Sequence, residues 1–138
     1  MNNYTKFKKK NNIIFVKYLF HISNIFLIIF YLYPGSIFGC LIYDDCKTQP
    51  QLTSDFIVSS NHVYVFIIIS FLGFITYSKK NSFIWIIIYI LFLSVFLELA
   101  HLFIPERGFE IKDLAGNIIG VVISLIIFKI IKIRKKNG

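Results

Sequence analysis

Six side chains could together do acid–base or phosphate chemistry: His62, Glu98, His101, Arg107, Asp113 and Asn117. Imidazoles and carboxylates exchange protons near neutral pH, and a guanidinium meets a phosphate with two parallel hydrogen bonds. Ser94, Glu98 and His101 stand at i, i+4 and i+7, so they share one helix face. Asp113, Asn117, Gly120 and Ser124 stand at i, i+4, i+7 and i+11 and share another. Pro105 ends the first of these runs and Arg107 sits in the short link, so an antiparallel hairpin brings the two faces together. Asp55, Ser59, Ser60, Asn61 and His62 cluster at the end of an earlier apolar run, within reach of Glu98 and His101 if the helices pack compactly.

The same residues have a purely structural reading, in which Glu98, Arg107 and Asp113 neutralise one another and pin the hairpin. A catalytic reading makes His62 or His101 a general base oriented by Glu98, with Arg107 on a phosphoryl oxygen. The chain has no zinc-protease helix motif, Walker loop or nucleophile elbow. Glu98-x-x-His101 has the spacing used in di-iron bundles, but those need a second copy. Neither a metal nor a cofactor is expected.

The elements that carry these residues read as membrane helices. The 138 residues are 57% hydrophobic and 16% charged, with mean hydropathy +0.71; a soluble domain carries about 25% charged residues. Four apolar stretches, 13–33, 58–77, 83–103 and 114–131, match the ~20 residues that cross a bilayer. They do not alternate, which excludes a barrel, and lipid satisfies no backbone group, so helix wins over the strand propensity of Ile and Phe. The expected fold is all-α: a single transmembrane domain over 1–138, a four-helix bundle with outer loops 34–57 and 104–113. Twelve of the fifteen Lys and Arg residues flank the ends assigned to one side, and Lys47, Arg107 and Lys112 the other. The excess of basic residues places both termini in the cytoplasm. Short basic clusters of this kind set topology and touch anionic lipid, which leaves no case for nucleic-acid binding despite the net charge of +8. The first apolar run reads as an uncleaved signal anchor, because small-residue cleavage chemistry is missing after it.

Pro34-Gly35 closes the first helix, and Ser36–Tyr43 is expected along the interface or between helices. Cys40 and Cys46 lie outside, where a disulfide and two free thiols are equally consistent with the spacing. Lys17, His21 and Asn24 make a second polar stripe, read as interhelical hydrogen bonding. Tyr31, Tyr33 and Trp85, near the ends of runs, read as interfacial anchors.

Glu98-x-x-His101, Pro105-x-Arg107 and Asp113-x-x-x-Asn117-x-x-Gly120, with Tyr33-Pro34-Gly35-Ser36 after the first run, resemble the VanZ-like family of small multi-pass bacterial membrane proteins. The family pattern has Gln where His101 stands, and an Asp-Lys pair where Val58 and Ser59 stand before His62; Asp55 is a displaced candidate for that Asp. The resemblance implies a cell-envelope role in the bacterial cytoplasmic membrane, in a family named for a member linked to glycopeptide resistance, teicoplanin in particular. The expected partners are membrane lipid and a lipid-linked or glycan envelope intermediate bound at an outer-leaflet polar site. The alternatives are a hydrolase or transferase acting on a phosphorylated polyprenyl lipid, and a structural subunit of an envelope complex. Oligomeric state is left open.

Overall fold

The computed structural model describes residues 3–137; Met1, Asn2 and Gly138, at the ends of the expected domain, lie outside the described residues. The elements are α1 (Asn3–Leu32), α2 (Ile37–Tyr43), α3 (Ser60–Thr76), α4 (Lys80–Ala100) and α5 (Ile111–Asn137). A 3-10 turn, His101–Phe103, continues α4. Among the described residues there is no strand.

Three stretches, Asn11–Leu32, Asn81–Phe103 and Ile111–Asn137, are long and apolar enough to cross a membrane. The run expected at 58–77 forms a 17-residue helix, α3, about 26 Å long against the ~30 Å of a hydrocarbon core. Its start is set by capping: an Asp55 carboxylate oxygen accepts the Ser60 N–H at 2.8 Å, which leaves Ser59 extended as N-cap.

α3 is the central element. It packs on α5 and α1, while α4 touches α5, α3 and α1. The α3–α5 approach depends on Gly116 and Gly120, one turn apart on α5. A Cβ on Gly116 would lie 2.7 Å from the Ser59 carbonyl oxygen, and one on Gly120 would lie 2.5 Å from that of Val63. Backbones this close gain dispersion contacts, the main attraction available where the solvent is itself apolar.

Polarity is distributed opposite to that of a water-soluble domain. Ser70, Ser94, Glu98, His101, Asn117 and Ser124 are at most 1% exposed, whereas Trp85, Phe15 and Phe92 are about two-thirds exposed. Lipid as solvent accounts for both: it tolerates Phe and Ile and penalises every unpaired polar group. Phe66, Phe74, Ile90 and Leu97 fill the centre, and the rings of Phe74, Phe83 and Phe128 pack together. Within the Lys17–Asn24 stripe, His21 and Asn24 make the expected cross-helix bonds, Tyr77 Oη to His21 Nε2 at 3.1 Å and Tyr89 Oη to Asn24 Oδ1 at 2.9 Å.

The segment after α1 is ordered by local bonds. Ser36 Oγ caps α2 by accepting the Gly39 N–H at 3.0 Å, and the Ser36 N–H donates to the Cys46 carbonyl at 2.7 Å. Cys40 and Cys46 form a disulfide, which decides between the two thiol states. The Asp45 carboxylate accepts from the Thr48 hydroxyl at 2.7 Å and the Lys47 N–H at 2.9 Å. These bonds, the hydroxyl first, hold its carboxyl below the ordinary value.

Candidate functional site

The site forms where α1, α3, α4 and α5 meet beside the 104–110 link. Asn117 on α5 is its hub. Its amide nitrogen donates to the Ser94 carbonyl on α4 at 3.4 Å, which turns Oδ1 toward α1 and α3. Oδ1 lies 3.0 Å from Tyr31 Oη and 3.0 Å from His62 Nδ1, and Tyr31 and His62 are themselves 3.0 Å apart. An amide oxygen only accepts. The Tyr31 O–H donates to it or to His62 Nδ1, and His62 donates to it only in its Nδ1–H tautomer; the remaining His62 nitrogen, Nε2, points elsewhere.

Nε2 faces Asp113, with Oδ2 at 3.3 Å. Glu98, wholly buried on α4, stands nearby. One carboxylate oxygen, Oε1, accepts the Glu110 backbone N–H at 2.9 Å and lies 3.5 Å from His101 Nδ1. The other, Oε2, is buried with no hydrogen-bond partner. The second nitrogen of His101, Nε2, donates to the Tyr31 carbonyl at 3.0 Å, and the Tyr31 and His101 rings stack with centroids 5.7 Å apart. One ligand atom each from His62, Glu98 and Asp113 falls within a 4.8 Å span.

Arg107 takes a different place from the one expected in an ion-pair network. Its Nε and Nη2 donate to the carbonyls of Tyr33 and Phe30, each at 3.3 Å, so it caps the C-terminus of α1. Among the described residues no carboxylate lies within ion-pair distance of it. Burial draws the guanidinium pKa down from its usual value without removing the charge. Three of its five N–H groups have no protein acceptor among the described residues.

Arg107 and His62 also line an apolar cavity of about 770 Å³ between α1, α2 and α3. Phe26, Phe30, Phe38 and Val65 supply much of its wall. The volume falls in the ordinary range for small-molecule sites, roughly 300–1,000 Å³.

Five of the six residues singled out from spacing, His62, Glu98, His101, Asp113 and Asn117, are thus in one cluster, and Arg107 flanks it. Asp55, by contrast, is exposed, bonded to Ser60 and Gln51, and lies outside the cluster. Tyr31, whose place near the end of an apolar run matches an interfacial anchor, is instead 8% exposed and sits at the centre. The signal that reveals it is the α1 face Phe20, Asn24, Leu27, Tyr31, spaced i, i+4, i+7, i+11 and buried throughout.

A family model described as VanZ/LLP1 matches residues 2–132, nearly the whole chain. No curated protein and no solved structure matches.

Proposed function

The chain belongs to the VanZ/LLP1 family of membrane proteins, and from that premise we propose that it binds a lipid-linked envelope intermediate, with the phosphate at Arg107 and the hydrocarbon chain in the adjoining cavity. The observation that carries this reading is the cavity itself, an apolar slot running along α1 beside a half-buried guanidinium with donors to spare. A planar guanidinium suits phosphate better than a lysine does. In this reading α1, α3, α4 and α5 all cross the cytoplasmic membrane, both termini lie in the cytoplasm, and the site opens to the outer leaflet, as the lysine distribution supports. The short α3 is accommodated by a locally thinned bilayer.

The test is lipid retention. Protein purified in mild detergent carries phosphorylated polyprenyl lipid above its abundance in the surrounding membrane, read by mass spectrometry. Arg107→Gln and the cavity-filling Val65→Trp each lower retention at least tenfold while the protein stays monodisperse. Retention that matches bulk membrane composition would sink the proposal.

A second reading, hydrolysis or transfer on the same phosphorylated lipid, is favoured by the placement of His62 against Asp113 beside Glu98. Release of phosphate from polyprenyl phosphate by the purified protein separates it from binding alone.

A further inference from the structure

His62 Nε2 and the Asp113 carboxylate, 3.3 Å apart, are joined by an Nε2–H bond or by a shared cation according to the tautomer of the ring. With Nδ1–H bonded to the Asn117 oxygen, a neutral His62 presents a lone pair at Nε2. That lone pair faces a carboxylate oxygen 3.3 Å away, itself only an acceptor. In that tautomer a cation between them, or a second proton on the ring, removes the conflict. Glu98 adds an independent sign: it is wholly buried, its Oε1 is committed to Glu110 and His101, and its Oε2 has no partner among the described residues. Among the described residues the two carboxylates have His62 and His101 in ion-pair contact but no arginine or lysine, and unneutralised charge in this cluster is costly.

We propose that His62 Nε2, a Glu98 carboxylate oxygen and an Asp113 carboxylate oxygen bind one divalent transition-metal cation of the zinc type. The three ligand atoms already lie within 4.8 Å of one another. In a tetrahedron with bonds near 2.0 Å, neighbouring ligands are roughly 3.3 Å apart, the separation His62 and Asp113 already have. Only Glu98 has to approach. One neutral imidazole and two carboxylates balance a divalent charge, and imidazole favours zinc over calcium or magnesium. The ring of His62 is oriented by its Nδ1–H bond to Asn117, as a ligating histidine requires. A three-residue donor set leaves one position for water or a phosphate oxygen. The inference deepens the lipid-phosphate reading and rests on it for its purpose, though not for its geometry.

The experiment uses full-length protein purified in detergent through a tag free of histidine, stripped with chelator and titrated with Co²⁺, then Zn²⁺. Expected are one equivalent per chain, the visible absorption of a low-coordinate Co²⁺ site, and its displacement by Zn²⁺. Asp113→Asn and His62→Gln each weaken binding tenfold or more. Wild-type protein that stays metal-free at micromolar Co²⁺ and Zn²⁺ overturns the site, as does undiminished binding in the double variant. If the variants fail to accumulate, the wild-type stoichiometry and spectrum decide alone. Lipid retention measured in parallel keeps the two ideas apart. Metal without lipid sinks the lipid reading and leaves the cation site standing, whereas lipid without metal in the wild type sinks the cation site alone.

Discussion

Replacing Asn117 by Leu keeps the volume of the side chain roughly constant and removes the hub of the polar cluster. Three groups on three other helices then lose their partner: the Ser94 carbonyl on α4, the Tyr31 hydroxyl on α1 and the His62 N–H on α3. Inside membranes one such bond is worth on average about 0.6 kcal/mol, and at most about 1.7. Three bonds then give a loss of roughly 2 to 5 kcal/mol. Tyr31 and His62 are 3.0 Å apart and can re-pair, which recovers one bond and places the expected loss near the lower end, about 2 kcal/mol. Tyr31→Phe alone removes only a hydroxyl and costs about 0.6 to 1.7 kcal/mol. Combined, the two substitutions are less than additive, because they delete one shared bond. Unfolding in bicelles by steric trapping measures all three variants on one scale. An Asn117→Leu protein as stable as wild type, or a strictly additive pair, would refute the hydrogen-bond assignment on which the His62 tautomer depends.

Three further outcomes follow from other parts of the fold. Gly120→Leu drives a Cβ to 2.5 Å from the Val63 carbonyl and costs at least the 1 to 3 kcal/mol typical of overpacking, so its thermal midpoint in detergent falls, whereas Ile119→Leu on the same helix leaves it unchanged. Cys46→Ser opens the short loop to Cys40; the chain-entropy argument assigns closure of about seven residues roughly 2 kcal/mol, and limited proteolysis of the 40s segment speeds up as under reductant. Asp45 has a folded-state pKa below its ordinary value, so its contribution to the loop is complete above that ordinary value and is lost as pH falls through the folded one; the Lys47 amide resonance tracks this titration and stops doing so in Asp45→Asn.

How far the sequence foretold this arrangement depended on the kind of signal. Helical spacing was enough to put Glu98 with His101 and Asp113 with Asn117 on single faces, because period and chain direction alone decide it. The link carrying Pro105 then forced those faces together. Gly116 and Gly120, two small residues four apart on an apolar helix, permit close backbone approach but do not by themselves name the helix that approaches. Tyr31 was not legible, because a tyrosine near a helix end satisfies the interfacial pattern as well as the buried one. Only the partners on α3 and α5 distinguish them. Arg107 was placed in the right link, yet its bonds go to the carbonyls of Phe30 and Tyr33, which no sequence displays as unpaired. The disulfide needed the fold of α2 to bring Cys46 back to Cys40. The three-residue donor set comes from three different helices, so linear motifs could not register it.

The placement of serine, asparagine and glutamate at the centre beside Phe66 and Phe74, with Phe15, Trp85 and Phe92 at the rim, has a consequence for how this chain can change over time. Its outer surface is interchangeable, since one greasy residue there serves about as well as another. Bonded inner positions such as Asn117, Tyr31 and His62 are not, because each must match specific neighbour atoms. Variation should therefore accumulate at the periphery in apolar-for-apolar exchanges, while drift at the middle stalls unless two or three positions shift at once.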